Sequence, residues 1–189
     1  MPNVKTEPLK VQSGDVSPGL NLAESGLLNL GLHTCTLAEL RPLLATNPHR
    51  EKMWQKLISF ISWPILTRKF SYIFISGGYI SLNEAPDDID VVLQTRESFG
   101  PYAFKALEPF FSIGLESIRE IYSVHLHFWM ENAPPGMTDF RSFFQYARPE
   151  KSAVRPFPKR GVIRIPLLVP DIREQLREQL DGPFGKKSA

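Results

Sequence analysis

Apolar and polar positions alternate with a period of two in several short stretches of this chain and recur at helical spacing in others. Lys69–Ser76 reads as one strand and Asp88–Gln94 as a second. In the second, Ile89 and Val91 point to a core while Asp88 and Asp90 project from the other side. Ile121–Met130 alternates as a third strand, with Tyr122, Val124, Leu126 and Phe128 on one face and Ser123, His125, His127 and Trp129 on the other. Met53, Trp54, Leu57, Ile58 and Ile61 recur at helical spacing and predict a helix over 49–61. Phe104, Leu107 and Phe111 predict another from Gly100 to about Phe111, broken by Ser112-Ile113-Gly114. Thr36 and Glu39 form a capping-box pattern that opens a short helix over 36–45, which Pro42 should kink or shorten. Asp139–Tyr146 and Asp171–Leu180 are further helices, and Gly161–Leu168 is extended.

The implied fold class is α/β (α+β): a small mixed sheet with helices packed on one face and a cleft on the other. Residues 26–181 form the expected domain, between a polar arm (1–25) rich in Pro, Gly and Ser and a short tail (182–189). With 42% apolar and 22% charged residues, the 189-residue chain has the composition of an ordinary globular protein. No apolar run reaches the ~18 residues of a membrane span, so no membrane partner is expected. The start of the chain lacks a signal-peptide core, and the lone Cys35 fits a reducing compartment. The expected location is therefore cytoplasmic. A net charge of +2 is too small to argue for nucleic-acid binding by itself.

Two adjacent carboxylates, Asp88 and Asp90, repel each other unless a cation or proton neutralises them. A divalent metal is the usual reason for such a pair, and Mg²⁺ leaves positions open for substrate phosphates. The same spacing also suits a strand start that is merely solvated. Arg148, Lys151, Arg155, Lys159, Arg160 and Arg164 make a basic segment, with Tyr146 and Phe157 available to stack a base. It reads equally as a phosphate-binding segment or as a solvated loop.

Helix, strand, Gly77-Gly78, loop, and an Asp-x-Asp strand together resemble the nucleotidyltransferase fold of the DNA polymerase β superfamily. Arg50, Gly77-Gly78-Tyr79, Pro86-Asp87-Asp88-Ile89-Asp90 and Lys159-Arg160-Gly161-Val162-Ile163 are similar to a family of small bacterial and phage proteins carrying such a domain. The resemblance spans roughly residues 35–170. It implies that Asp88 and Asp90 ligate Mg²⁺ (or Mn²⁺) and that Gly77 and Gly78 let backbone N–H groups approach a triphosphate. Lys159 or Arg160 would then neutralise phosphate charge. Two departures stand out. The superfamily usually has Gly-Ser at the turn, where Gly78 replaces the serine and Ser81 is the substitute at hand. The superfamily's third carboxylate falls on a strand that here offers His125 and His127, the nearest acid of the right parity being Glu131. Three readings of the histidines stay open: metal ligands that favour Mn²⁺ or Zn²⁺, a general base (His127), or the remnant of a degenerate site.

The resemblance thus implies binding of a nucleoside triphosphate with a divalent metal and nucleotidyl transfer to a hydroxyl of an RNA, a protein or a small molecule. The alternative is a catalytically degenerate relative acting on a protein partner, as an antitoxin-like module or a factor in phage–host conflict.

Overall fold

The computed structural model describes residue 22 and residues 26–146 and 159–181. Apart from Leu22, the residues of the expected arm lie outside that range, as do the tail and Arg148, Lys151, Arg155 and Phe157 of the basic segment.

Local signals set the first helices. Thr36 and Glu39 complete their capping box and open α1 (Leu37–Leu44), which contains Pro42. Asn47 caps α2 (Pro48–Ile61), with Pro48 in its first turn, where a missing N–H costs nothing. α3 (Pro64–Lys69) then runs directly into a strand. With β1 (Leu32–Thr34), β2 (Phe70–Ser76), β3 (Ile89–Thr95), β4 (Val124–Trp129) and β5 (Val162–Pro166) in hand, the sheet order is β1-β5-β2-β3-β4. β2 is antiparallel to both β3 and β5, whereas β3–β4 and β1–β5 are parallel. This is the mixed α/β sheet that the sequence pattern implies.

Strand parity divides the core. Ile73, Ile75, Ile89, Val91, Leu93, Val124, Leu126, Ile163 and Ile165 join the residues of α1, α2, α4 (Pro101–Ile113), α5 (Leu115–Tyr122) and α7 (Ile172–Asp181) in one large apolar cluster. The other face carries a smaller cluster of Phe74, Val92, Val162 and Phe144, the last just beyond the one-turn helix α6 (Phe140–Phe143). No helix among the described residues is long and apolar enough to cross a membrane.

Several elements differ from the sequence expectation: α3 was not expected, and the helix expected over Asp139–Tyr146 is the single turn α6. The strand expected from Ile121 begins at Val124, because residues 115–122 form α5, which ends at Ser123 in a left-handed conformation (φ 55°). The buried face of α4 is Ala103, Ala106, Leu107 and Phe110, while Phe104 and Phe111 are exposed. The two alanines, Leu107 and Phe110 join the main core, and Phe104 and Phe111 turn outward. β1, three residues long, was not anticipated, and it pairs Leu32 with Val162.

Candidate functional site

β3 and β4 bring the site together. Their parallel register sets Asp90 beside His125 and Val92 beside His127, all on the face away from the main helix layer. On β2, Ser76 pairs with Asp90. The carboxylate of Asp90 is buried, and its Oδ1 lies 3.1 Å from His125 Nδ1. A carboxylate only accepts, so the imidazole donates there from Nδ1, and in a neutral ring Nε2 is the nitrogen left to accept or to bind a metal. The His125 and His127 rings meet edge-on, with centroids 4.4 Å apart. One ligand atom each from Asp90, His125 and His127 lies within 4.8 Å of the others.

The turn after β2 exists in this form because of Asp90. Gly77 has φ +83°, where a side chain is strained, and a Cβ there would sit 2.2 Å from Asp90 Oδ2. The glycine is therefore the space that the carboxylate occupies. Gly78 opens a short 3₁₀ turn, Gly78–Ile80, and has no such constraint on φ.

The start of α2 holds the loop that follows. Asn47 Nδ2 donates to Glu84 O (2.9 Å), and His49 Nε2 lies 2.9 Å from Pro86 O. Arg50 is buried and donates to the carbonyls of Leu44, Tyr79, Ser81 and Asn83. Four carbonyl acceptors make a buried guanidinium tolerable. Burial still pulls its pKa below the usual value, with the Tyr79 ring opposing the shift, and burial raises that of Tyr79. The Tyr79 hydroxyl donates to Arg50 O (3.2 Å), which closes the clamp.

The remaining predicted site residues fall elsewhere. Asp88 precedes β3 and accepts from Arg119 Nη2 of α5 at 2.9 Å; it is not part of the Asp90–His125–His127 group. Ser81 Oγ donates to Gly78 O (2.8 Å) and accepts from Asn83 N (3.2 Å), so it serves the loop. Glu131 lies past the end of β4 and accepts from Gln94 (2.9 Å). Lys159 is exposed, with Nζ 5.3 Å over the Tyr146 ring. Arg160 Nε donates to Phe144 O (2.9 Å), which also accepts from Ser76 Oγ (3.1 Å). That pair of bonds fixes the Phe140–Phe144 segment against the sheet, where Phe140 and Phe144 pack on His127 at 4.3 and 5.0 Å. Arg119, Phe140 and Phe144 were not singled out from sequence. Nothing in their local pattern marks them, because each gains its role from a partner distant along the chain.

The described residues thus form a mixed α/β sheet with an Asp/His cluster behind a glycine turn. Residues 20–166 match the family of unknown function designated DUF6932, and the chain belongs to that family. No curated protein and no solved structure matches the chain.

Proposed function

We propose that this protein is a nucleotidyltransferase-like domain that binds a nucleoside triphosphate together with a divalent metal held by Asp90, His125 and His127. The observation that supports it is the coupling of Gly77 to Asp90: the turn is glycine where the carboxylate needs room, and that carboxylate lies against His125. Metal-assisted phosphate chemistry requires ligands held in a fixed geometry, and the packing of Asp90 against Gly77 and His125 supplies that for one of them. One carboxylate with two imidazoles suits Mn²⁺ or Zn²⁺ better than Mg²⁺, which prefers oxygen alone. A bound ion would neutralise charge on the phosphates. Asp90 and the two histidines would hold it, His127 being shielded by Phe140 and Phe144. Gly78, whose side-chain space the carboxylate does not fill, would admit the phosphates to the backbone in place of the expected pair Gly77 and Gly78, with Lys159 as the exposed cation next to Arg160 in sequence. The reaction would be transfer of a nucleotidyl group to a hydroxyl acceptor.

A second reading, a degenerate relative that works by binding a partner, is favoured by one observation. Asp88, the other half of the expected metal pair, is engaged by Arg119.

Calorimetric titration with Mn²⁺, Zn²⁺ and Mg²⁺, each with and without ATP, GTP, CTP or UTP, tests both. We expect Mn²⁺ or Zn²⁺ to bind and nucleotide to require the metal. Asp90→Asn and His125→Ala should each weaken metal binding by ~10-fold or more, and Asp88→Asn should change it little. Metal affinity indifferent to Asp90→Asn would sink the metal site. Metal binding with no nucleotide binding would leave the partner-binding reading standing.

A further inference from the structure

The same sheet face carries a cavity of about 570 Å³, within the ~300–1,000 Å³ typical of small-molecule sites. Leu32, Tyr72, Phe74 and Val162 supply its apolar surface, and none of Asp90, His125 and His127 lines it. The α6 segment separates the two: Phe140 and Phe144 pack on His127, while Arg141 and Ser142 line the cavity.

The two arginines of this cavity differ. Arg141 is neutralised by Asp139, with Nε to Oδ1 at 3.0 Å and Nη2 to Oδ2 at 3.1 Å, and its guanidinium stacks 4.4 Å over Trp129. Arg164 is half-buried, lies 5.0 Å over the Tyr72 ring and donates to Thr34 Oγ1 at 3.0 and 2.7 Å. Among the described residues no carboxylate pairs with it. A partly desolvated cation whose partners are neutral favours an anion in the space before it. Glu131, the remaining acid of the wall, is held by Gln94 at the β3–β4 end, away from Arg164 on β5. The same lining holds a donor without an acceptor: Trp129 Nε1 is buried without a hydrogen-bond partner among the described residues.

We infer that this cavity is a separate ligand site for a small organic anion, whose carboxylate or phosphate meets Arg164 while a flat apolar body rests on Tyr72 and Phe74. The site stands independently of the metal-dependent reading above.

Fluorescence titration of the full chain with 8-anilinonaphthalene-1-sulfonate tests it, beside N-phenyl-1-naphthylamine, which has the same rings without the anion. The sulfonate should bind ~10-fold or more tighter than the neutral probe. Benzoate and phenyl phosphate should displace it, and the stronger competitor identifies the anion class. Arg164→Gln should erase the preference for the sulfonate, Arg164→Lys should keep most of it, and Asp90→Asn should leave it unchanged. Equal binding of the two probes to the wild type overturns the site without recourse to any variant. So does a natively folded Arg164→Gln protein, checked by circular dichroism, that retains the sulfonate preference.

Discussion

All seven residues of β3 are buried, yet its two faces are buried by different means. Ile89, Val91 and Leu93 meet the helix layer through dispersion and the hydrophobic effect, which are non-directional and tolerate repacking. Asp90 and Gln94 face the other way and depend on individual atoms. Asp90 needs the absent Cβ of Gly77 and the ring of His125. Gln94 donates to Glu131 and accepts from Arg141 (3.2 Å). A strand can therefore be fully buried and still divide its labour, with one face built for stability and the other for a defined arrangement of polar groups. The polar face should be brittle to small changes of shape, and the apolar face sensitive mainly to lost volume.

The sharpest way to break this comparison is Gly77→Ala, which adds a methyl into Asp90 Oδ2 at a strained φ. A loss of ~3 kcal/mol or more is expected, because backbone strain and overlap act together. Gly77→Ala/Asp90→Ala removes the overlap but leaves the strain, and urea unfolding should show partial recovery. A single variant as stable as wild type would mean that the turn and carboxylate are not coupled. Next comes a pair of neighbours on opposite faces. Leu93→Ala should cost ~2–5 kcal/mol, as buried leucines do. Gln94→Ala should cost ~1 kcal/mol, since Glu131 and Arg141 can turn to water. Reversal of that order in chemical denaturation would show that Glu131 and Arg141 cannot turn to water when Gln94 is removed. Smaller still is Asp88→Asn, which breaks a partly exposed ion pair with Arg119 and should cost no more than ~1 kcal/mol, less in high salt.

A further effect is confined to high pH. Burial, with a lesser contribution from Glu39, pushes the Cys35 thiol from its ordinary 9.0 up to about 12. The unfolded chain therefore loses this proton first, and the thiol's support for folding, complete below pH 9, declines as pH rises toward 12. Wild type should lose more stability between pH 8 and 10 than Cys35→Ala; equal losses would show that the thiol is not sequestered.

Much of this division was legible in the sequence, because period-two alternation assigns faces without knowledge of the partner. Val124, Leu126 and Phe128 separate from His125, His127 and Trp129 by parity alone. Asp90 falls on the histidine side for the same reason. Asp88 did not follow the rule, because alternation holds only inside a strand and β3 begins at Ile89. α5 escaped although Leu115, Ile118 and Tyr122 recur at helical spacing, because the alternation of β4 was extended back to Ile121. β1 is too short to alternate visibly. The cavity beside Arg164 is assembled from β1, β2, β3, β4, β5 and the α6 region, so no local window contains it.

The sheet order carries a consequence for timing. β5, the last strand in the chain, lies between β1 and β2, and Arg164 meets Thr34 across 130 residues. During synthesis or refolding, β1 has no strand to pair with and β2 keeps one edge open until residues 162–166 arrive. Closure of so long a loop is slow, and open edges invite pairing between chains in the interval. The anion cavity, which needs β1, β2 and β5 together, is completed only at that final insertion. During refolding, the part of the sulfonate signal that benzoate or phenyl phosphate displaces should therefore lag behind the appearance of helix, whereas probe bound to collapsed intermediates would not be displaced.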